Sequence, residues 1–397
     1  MKSETDLIRD IDFEISSICN AGCSVCMRRR KGHYTEFTST YWSIEEVQRV
    51  LDEGIIKNLL GFNICGNFGD AMGNPDVVKI IEWIRSINPK CSINIRTNGG
   101  IGDAEQYRRL AELKVIISFG IDGIGEANEL YRVNVKWDKL NENVVEFSKY
   151  AEPWQKELQF LLWNETIDQI VPILDYVEKN DFGRLYLRKP YTMGEYTEVF
   201  DMKSRSTHFL TEIADPQLSF ISETHWNKGS YMGLKEKISK LDLKINPIKL
   251  SDLEIKPRIY NEPREYTKRE VVFEQNELDS IKNKNVQTCF SKNRGDNYNL
   301  KESLYNVYIT HDKLLMPCCM IPPYISNSIT HCSGHEKGHS VEVLNKIADI
   351  GVENFSLKNK TLREVMDSGV LNKFVYDDLQ NNTPFLLCKQ HCGRCVI

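Results

Sequence analysis

The chain has no window of 18 consecutive apolar residues, which argues against a membrane-spanning helix. Its start, Met1 to Asp10, lacks the apolar run of a signal peptide. Charge of one sign is not in excess either. The 51 Lys and Arg stand against 56 Asp and Glu, a net charge of −5, which argues against a general nucleic-acid or membrane-surface binder. No internal repeat and no low-complexity tract interrupts the chain, which excludes a solenoid. Cysteine is missing from the 197 residues between Cys91 and Cys289. With no export signal, the cytosol is the expected compartment and a disulfide framework is not indicated.

What is present is a core-forming composition and two dense cysteine groups. Of 397 residues 41% are apolar and 27% charged, enough for a sizeable packed core. At about 150 residues per domain the length suggests two or three domains. The twelve cysteines are Cys19, Cys23, Cys26, Cys65, Cys91, Cys289, Cys318, Cys319, Cys332, Cys388, Cys392 and Cys395. In a reducing cytosol, close spacing of this kind points to metal ligands.

Strand-like runs alternate with amphipathic helical stretches over the first 200 residues. Residues 7–17, 59–65, 91–96, 115–120, 157–162 and 184–188 read as strands. Residues 43–57, 75–87, 103–113, 139–150 and 167–180 read as helices, the first opening with a Ser43/Glu46 capping box and the second with Pro75 in its first turn. These β-then-α units predict an α/β fold, a partial (β/α)6 TIM-like barrel whose functional loops lie at the C-terminal strand ends. The domains expected are 1–200 (barrel), 201–285 (an irregular, part-helical bridge covering the substrate) and 286–397 (a small cysteine-rich α+β domain). The last holds a strand-like pair around 304–309 and 313–316 and a helix around 362–376. Residues 331–339, which carry His331, His335 and His339, read as a flexible insertion.

Cys19-Asn-Ala-Gly-Cys23-Ser-Val-Cys26 is C-x3-C-x2-C and directly follows the first strand. Three thiolates so close can hold three irons of a [4Fe–4S] cube and leave the fourth iron open. The alternative is a zinc knuckle with His33 as fourth ligand, which the βα-loop position and the missing CxxC partner disfavour. Cys65 and Cys91 fit buried structural thiols. Arg28-Arg29-Arg30-Lys31 reads either as a solvated turn or as an anion-attracting lip.

In this position the three cysteines resemble those of the radical S-adenosylmethionine (SAM) enzymes. The resemblance implies that the open iron chelates SAM, whose reductive cleavage yields methionine and a 5′-deoxyadenosyl radical that abstracts a substrate hydrogen. Later segments are similar as well. Gly66-Asn-Phe-Gly69-Asp70-Ala-Met-Gly-Asn-Pro75 looks like the family's Gly-Gly-Glu-Pro segment, with Asp70 in place of Glu and extra residues before Pro75. Thr97-Asn98-Gly99 and Ser118-Phe-Gly-Ile-Asp122-Gly123 resemble the third- and fourth-strand segments. By that resemblance Gly69 and Asp70 receive the SAM ammonium, Ser118 lies near the ribose, Arg132 pairs with the carboxylate, Val25 covers the adenine, and Asn98 joins the cofactor-binding set.

The C-terminal cysteines resemble the SPASM extension of such enzymes. That likeness implies one auxiliary [4Fe–4S] cluster drawn from Cys289, Cys318, Cys388, Cys392 and Cys395, with Cys319 as a packing neighbour or substitute ligand. A C-terminal zinc site is the competing reading. The activity implied is an oxidoreductase-type modification of a peptide or small molecule. The alternatives are epimerisation or dehydrogenation of a sugar or metabolite, or a non-enzymatic iron–sulfur or zinc protein. Expected partners are the substrate and a one-electron donor such as flavodoxin or ferredoxin, with no membrane or nucleic acid. With the first strand beginning by about residue 7, no separate N-terminal peptide-recognition domain is expected.

Overall fold

Strands that are apolar on alternate residues, joined by amphipathic helices, set the architecture. The computed structural model describes residues 4–23, 26, 39–64, 67–188, 196–201, 206–211, 225–227, 284–285, 305–317, 334–376 and 394–395. Strands β1 (Ile8–Phe13), β2 (Gly61–Ile64), β3 (Ser92–Thr97), β4 (Ile116–Gly120), β5 (Lys156–Leu161) and β6 (Arg184–Arg188) pair in parallel and in chain order. Every crossover therefore steps in one direction, so the connecting helices cover one face and leave the other as a barrel lumen.

The helix-facing side is packed with Ile11, Phe13, Phe62, Ile93, Ile95, Ile117, Phe119, Leu158, Phe160, Leu185 and Leu187, all fully buried. Against it lie α1 (Ile44–Val50), α2 (Glu53–Asn58), α3 (Val77–Ile87), α4 (Ala104–Glu112), α5 (Trp137–Tyr150) and α6 (Ile170–Lys179). Helix α3 shows why: its buried residues Val77, Ile80, Ile81 and Ile84 recur at the spacing of one helical face. The lumen side is polar. Asn63 donates to Asp12 Oδ1 (2.9 Å), Asn94 donates to Asn63 Oδ1 (2.9 Å), and Asn306 donates to Asp12 Oδ2 (3.2 Å), so side-chain amides run from strand to strand.

The remaining strands extend this sheet or lie apart from it. A hairpin of β7 (Tyr196–Asp201) and β8 (Ser206–Thr211) stands separately, and β9 (His225–Asn227) pairs antiparallel with β6. Strand β10 (Lys284–Asn285) pairs with β13 (Arg394–Cys395), the two ends of the C-terminal cysteine region. The expected pair near residue 310 is present as β11 (Tyr305–Ile309) and β12 (Leu315–Met316). Strand β11 also lies parallel to β1, so this C-terminal hairpin continues the barrel sheet. Trp42 Nε1 donates to Thr310 O (3.1 Å), Lys313 pairs with Glu46, and Arg49 Nη2 donates to Leu357 O (2.9 Å), tying the same region to the first helix. Among the described residues no helix is long and apolar enough to cross a membrane.

Several boundaries differ from the sequence reading. The single helix expected over 43–57 is two, because Asp52 adopts an extended conformation and its side chain caps the second by accepting from Ile55 N (3.0 Å). Pro75 lies just outside α3. Strand β1 ends at Phe13, earlier than expected. The helix expected over 362–376 stops as α8 (Leu362–Asp367), with Gly369 at φ +73° before a π-helical turn at Asn372–Tyr376. Residues 334–339 are not an irregular insertion but the start of α7 (Gly334–Ile350). Most of the 201–285 bridge lies outside the described residues, and its described pieces are strand.

The extra residues between Asp70 and Pro75 form a 3-10 turn, Ala71–Gly73, followed by the fully buried Asn74. Asn74 Nδ2 donates to Ile15 O and Trp42 O (2.9 Å each), and its Oδ1 accepts from Asp76 N (2.8 Å). Asn74→Asp turns a carboxylate against two carbonyl oxygens and is expected to cost about 1–3 kcal/mol of stability. Denaturant unfolding checks this, and an unchanged midpoint would show that the buried amide joins nothing.

Candidate active site

The C-terminal ends of five successive strands open into one cavity of about 290 Å³. Cys19, Cys23 and Cys26, from the loop after β1, form one wall. That loop is anchored by Gly22 N donating to Val133 O (2.7 Å), Asn20 Nδ2 donating to Gly100 O (3.0 Å) and Cys26 N donating to Cys23 O (3.3 Å). Gly69, Asp70, Asn98, Ser118 and Arg132 line the same cavity, so the structure brings together every described residue of the expected set around the first cysteine group. Arg96, Gln159, Tyr131 and Leu161 line it too, and the sequence reading did not single them out.

Buried carboxylates hold the mouth in shape. Asp70 Oδ1 accepts from Thr97 Oγ1 (2.8 Å) and Met72 N (3.0 Å), while Oδ2 accepts from Asn98 N (2.8 Å). Burial pushes the Asp70 carboxyl upward from its ordinary value, against the pull of these three donors and of Arg132. Asp70 is therefore more than a turn residue: it fixes the end of β2 to the end of β3. Asn could not simply replace it, because three donors converge on two acceptor oxygens and an amide has one. Gly69 is demanded by close approach, since a Cβ there would stand 1.9 Å from Ser16 O. Glu14, fully buried at the end of β1, accepts from Phe68 N (2.5 Å) and from the His311 ring (2.9 Å).

Arg132 comes from the segment after a 3-10 turn, Gly125–Leu130, and lies across Gly120, whose missing side chain leaves the space. Its Nε donates to Asp122 Oδ2 (2.6 Å), and Asp122 Oδ1 accepts from Leu161 N (2.6 Å). Burial opposes the guanidinium charge, but Asp122 and Cys23 more than offset it, so Arg132 stays cationic. Nη1 of Arg132 points at Cys23 Sγ (3.9 Å). Cys19 Sγ accepts from Ala21 N (3.4 Å) and Asn98 Nδ2 (3.6 Å).

Among the described residues no disulfide joins the three cysteines, Cys23 being buried and Cys19 and Cys26 partly exposed. Among the described residues no three His, Cys, Asp or Glu side chains converge on one point as ligands of a single ion. That arrangement still suits a four-iron cube, in which each cysteine ligates a different iron. N–H groups aimed at the sulfurs and a buried cation beside Cys23 suit thiolates rather than thiols. By donor set, the loop fits an iron–sulfur cluster.

The other expected ligands and neighbours fall elsewhere. Val25, His33, the Arg28–Lys31 run, Cys65, Cys289, Cys318, Cys319, Cys388 and Cys392 lie outside the described residues, as does the side chain of Cys395. Cys91 is buried beneath α3, and burial pushes its thiol up to about 11, as befits a structural cysteine.

Residues 13–153 match the family model of the Radical SAM superfamily. No curated protein sequence matches the chain. Among solved structures, Streptococcus suis SuiB bound to S-adenosylmethionine is 12% identical, covering 93% of this chain and 70% of that one, with a TM-score of 0.45. Native anSMEcpe with bound AdoMet is 14% identical, covering 96% and 88%, with a TM-score of 0.47. BtrN in complex with AdoMet and 2-DOIA is 12% identical, covering 46% and 69%, with a TM-score of 0.27.

Asp70→Ala would leave the Asn98 and Met72 N–H groups and the Thr97 hydroxyl short of their acceptor. Each buried donor left unsatisfied costs about 1–3 kcal/mol, so the variant is expected to lose stability with no ligand present. Chemical unfolding of the cluster-free protein measures this, and wild-type stability would confine Asp70 to ligand contact.

Proposed function

We propose that the chain is a radical SAM enzyme acting by hydrogen abstraction from a peptide or small-molecule substrate. The observation that carries the reading is the gathering of Cys19, Cys23 and Cys26 with Asp70, Asn98, Ser118 and Arg132 around one cavity at the strand ends. Cys19, Cys23 and Cys26 would hold a [4Fe–4S] cluster, and the chemistry supplied with it bound would be one-electron reductive cleavage of SAM to methionine and a radical that abstracts a substrate hydrogen.

This chain's own residues have separable tasks in that scheme. Asp70 offers its remaining acceptor capacity to the SAM ammonium, a charge-assisted bond. Ser118, whose hydroxyl has no partner among the described residues, faces the ribose, and Val25 covers the adenine. Arg132, anchored through Nε by Asp122, keeps its other N–H groups for the SAM carboxylate and the Cys23 sulfur.

An auxiliary [4Fe–4S] cluster is proposed for the C-terminal region, from Cys289, Cys318, Cys388, Cys392 and Cys395. Two features support it. The pairing of Lys284 with Cys395 sets the approach to Cys289 against the last cysteine group. The β11–β12 hairpin, rooted on the sheet, ends just before Cys318. A cytosolic setting, with flavodoxin or ferredoxin as electron donor, fits this chemistry. Such a cluster would take up an electron from the substrate and make the net reaction an oxidation.

Anaerobic reconstitution tests the metal content. The wild type is expected to hold two [4Fe–4S] clusters, and the protein with Cys19, Cys23 and Cys26 all changed to Ala to hold one. Iron analysis finding none in that variant would remove the auxiliary cluster. With dithionite and SAM, the wild type is expected to form 5′-deoxyadenosine slowly, and Cys23→Ala to form none. Chromatography that still detects the nucleoside with Cys23→Ala would sink the radical reading.

A further inference from the structure

Among the described residues, the cavity wall carries a cation with no ion-pair partner. Alternation along β3 buries Ile93, Ile95 and Thr97 toward the helices and leaves Arg96 exposed on the lumen side. Strand register sets Arg96 beside Ser118 on β4, and sets Gln159 of β5 beside Gly120, two residues further along β4. All three line the cavity that holds the cysteine loop. Among the described residues, neither the Arg96 guanidinium nor the Gln159 amide has a hydrogen-bond or ion-pair partner.

The neighbouring polar groups behave differently. Asp12 is held by Asn63 and Asn306, and Glu157 is paired with Arg184 (2.6 Å). Arg132, the other guanidinium of the cavity, is neutralised by Asp122 (2.6 Å). Among the described residues, Arg96 is the charge of this group that faces the cavity without a partner. A guanidinium stays charged at any working pH, and its planar fork matches two carboxylate oxygens. One free cation balances one negative charge, whereas a phosphate monoester brings nearly two.

We propose that Arg96 is a substrate-binding residue that receives a carboxylate of the substrate, with Gln159 offering a further donor on the same wall. The assignment of that anion to a substrate rests on the radical SAM reading, but the anion site itself does not.

The test uses the full chain, reconstituted and loaded with SAM under anaerobic conditions. Binding of N-acetylglycine, its neutral counterpart N-acetylglycinamide and inorganic phosphate is followed by nuclear magnetic resonance titration. The wild type is expected to prefer the carboxylate over the amide by about tenfold or more, as a charge-assisted pair should. Arg96→Gln is expected to cut that preference to about twofold or less, and Arg96→Lys to restore part of it, because the charge returns without the fork. SAM affinity by calorimetry and the unfolding midpoint should stay at wild-type values in Arg96→Gln.

Equal binding of acid and amide to the wild type overturns the proposal. So does a preference that survives Arg96→Gln, or tighter binding of phosphate than of the carboxylate. Loss of SAM affinity in Arg96→Gln overturns it as well, because Arg96 would then serve SAM itself. The same titration on the Cys19, Cys23 and Cys26 triple-Ala protein separates this result from the function. If the reconstituted wild type fails to cleave SAM while the Arg96-dependent preference holds, the radical reading falls and the carboxylate site stands. If cleavage holds without the preference, the carboxylate site falls alone.

Discussion

Three buried carboxylates stitch the open end of the sheet together, and the site depends on that stitching. Glu14, at the end of β1, accepts the backbone N–H of Phe68 beyond β2. Asp70, beyond β2, accepts the N–H of Asn98 beyond β3. Asp122, beyond β4, accepts the N–H of Leu161 at the end of β5. Loops that leave parallel strands carry backbone donors with no ladder partner, and a buried donor left unmet is costly. Each carboxylate meets such a donor on a neighbouring loop. Irregular backbone can then be held beside a cavity without a covering layer of its own.

Stitching of this kind has an electrostatic consequence. Buried negative charge needs donors or a cation, and each carboxylate draws one in: His311 beside Glu14, the Thr97 hydroxyl on Asp70, Arg132 on Asp122. Arg132 is thereby placed next to the Cys23 sulfur by a group that never reaches the cavity floor. The same residue that closes the β4–β5 seam also sets the charge around the cysteine loop. Structural and functional demands on Asp122 cannot be separated by simply deleting it, because Leu161 N would be stranded with Arg132.

Local signals were readable in the sequence and distant pairings were not. The Ser43/Glu46 capping box and the six strands depend on residues within a few positions of each other, and all are present. The cysteine loop was legible from its spacing and its place after the first strand, and the Thr97-Asn98 and Ser118 segments from their resemblance to the strand-end segments of the radical SAM enzymes. Glu14 passed unnoticed because its partners lie 54 and 297 residues away. Arg96 and Gln159 sit at ordinary lumen positions of strands, and only the register that sets them around one cavity makes them distinctive. The break at Asp52 was missed because the apolar spacing runs on through it, while the capping bond overrides the period.

The link from Glu14 to His311 also explains why the C-terminal hairpin belongs to the site. Strand β11 adds a parallel neighbour to β1, and the turn after it delivers His311 against Glu14 and against the Phe68 ring, whose centroid lies 5.4 Å away. Phe68 immediately precedes Gly69 and Asp70, and Gly69 leaves no room for a side chain against Ser16. A displacement of the hairpin is therefore passed through two rigid contacts to the carboxylate that orders Asn98 and lines the cavity. Packed contacts of this sort shift as units rather than deform smoothly. The barrel's first 188 residues supply the cavity walls, but the position of one wall is set by a segment that begins at residue 305.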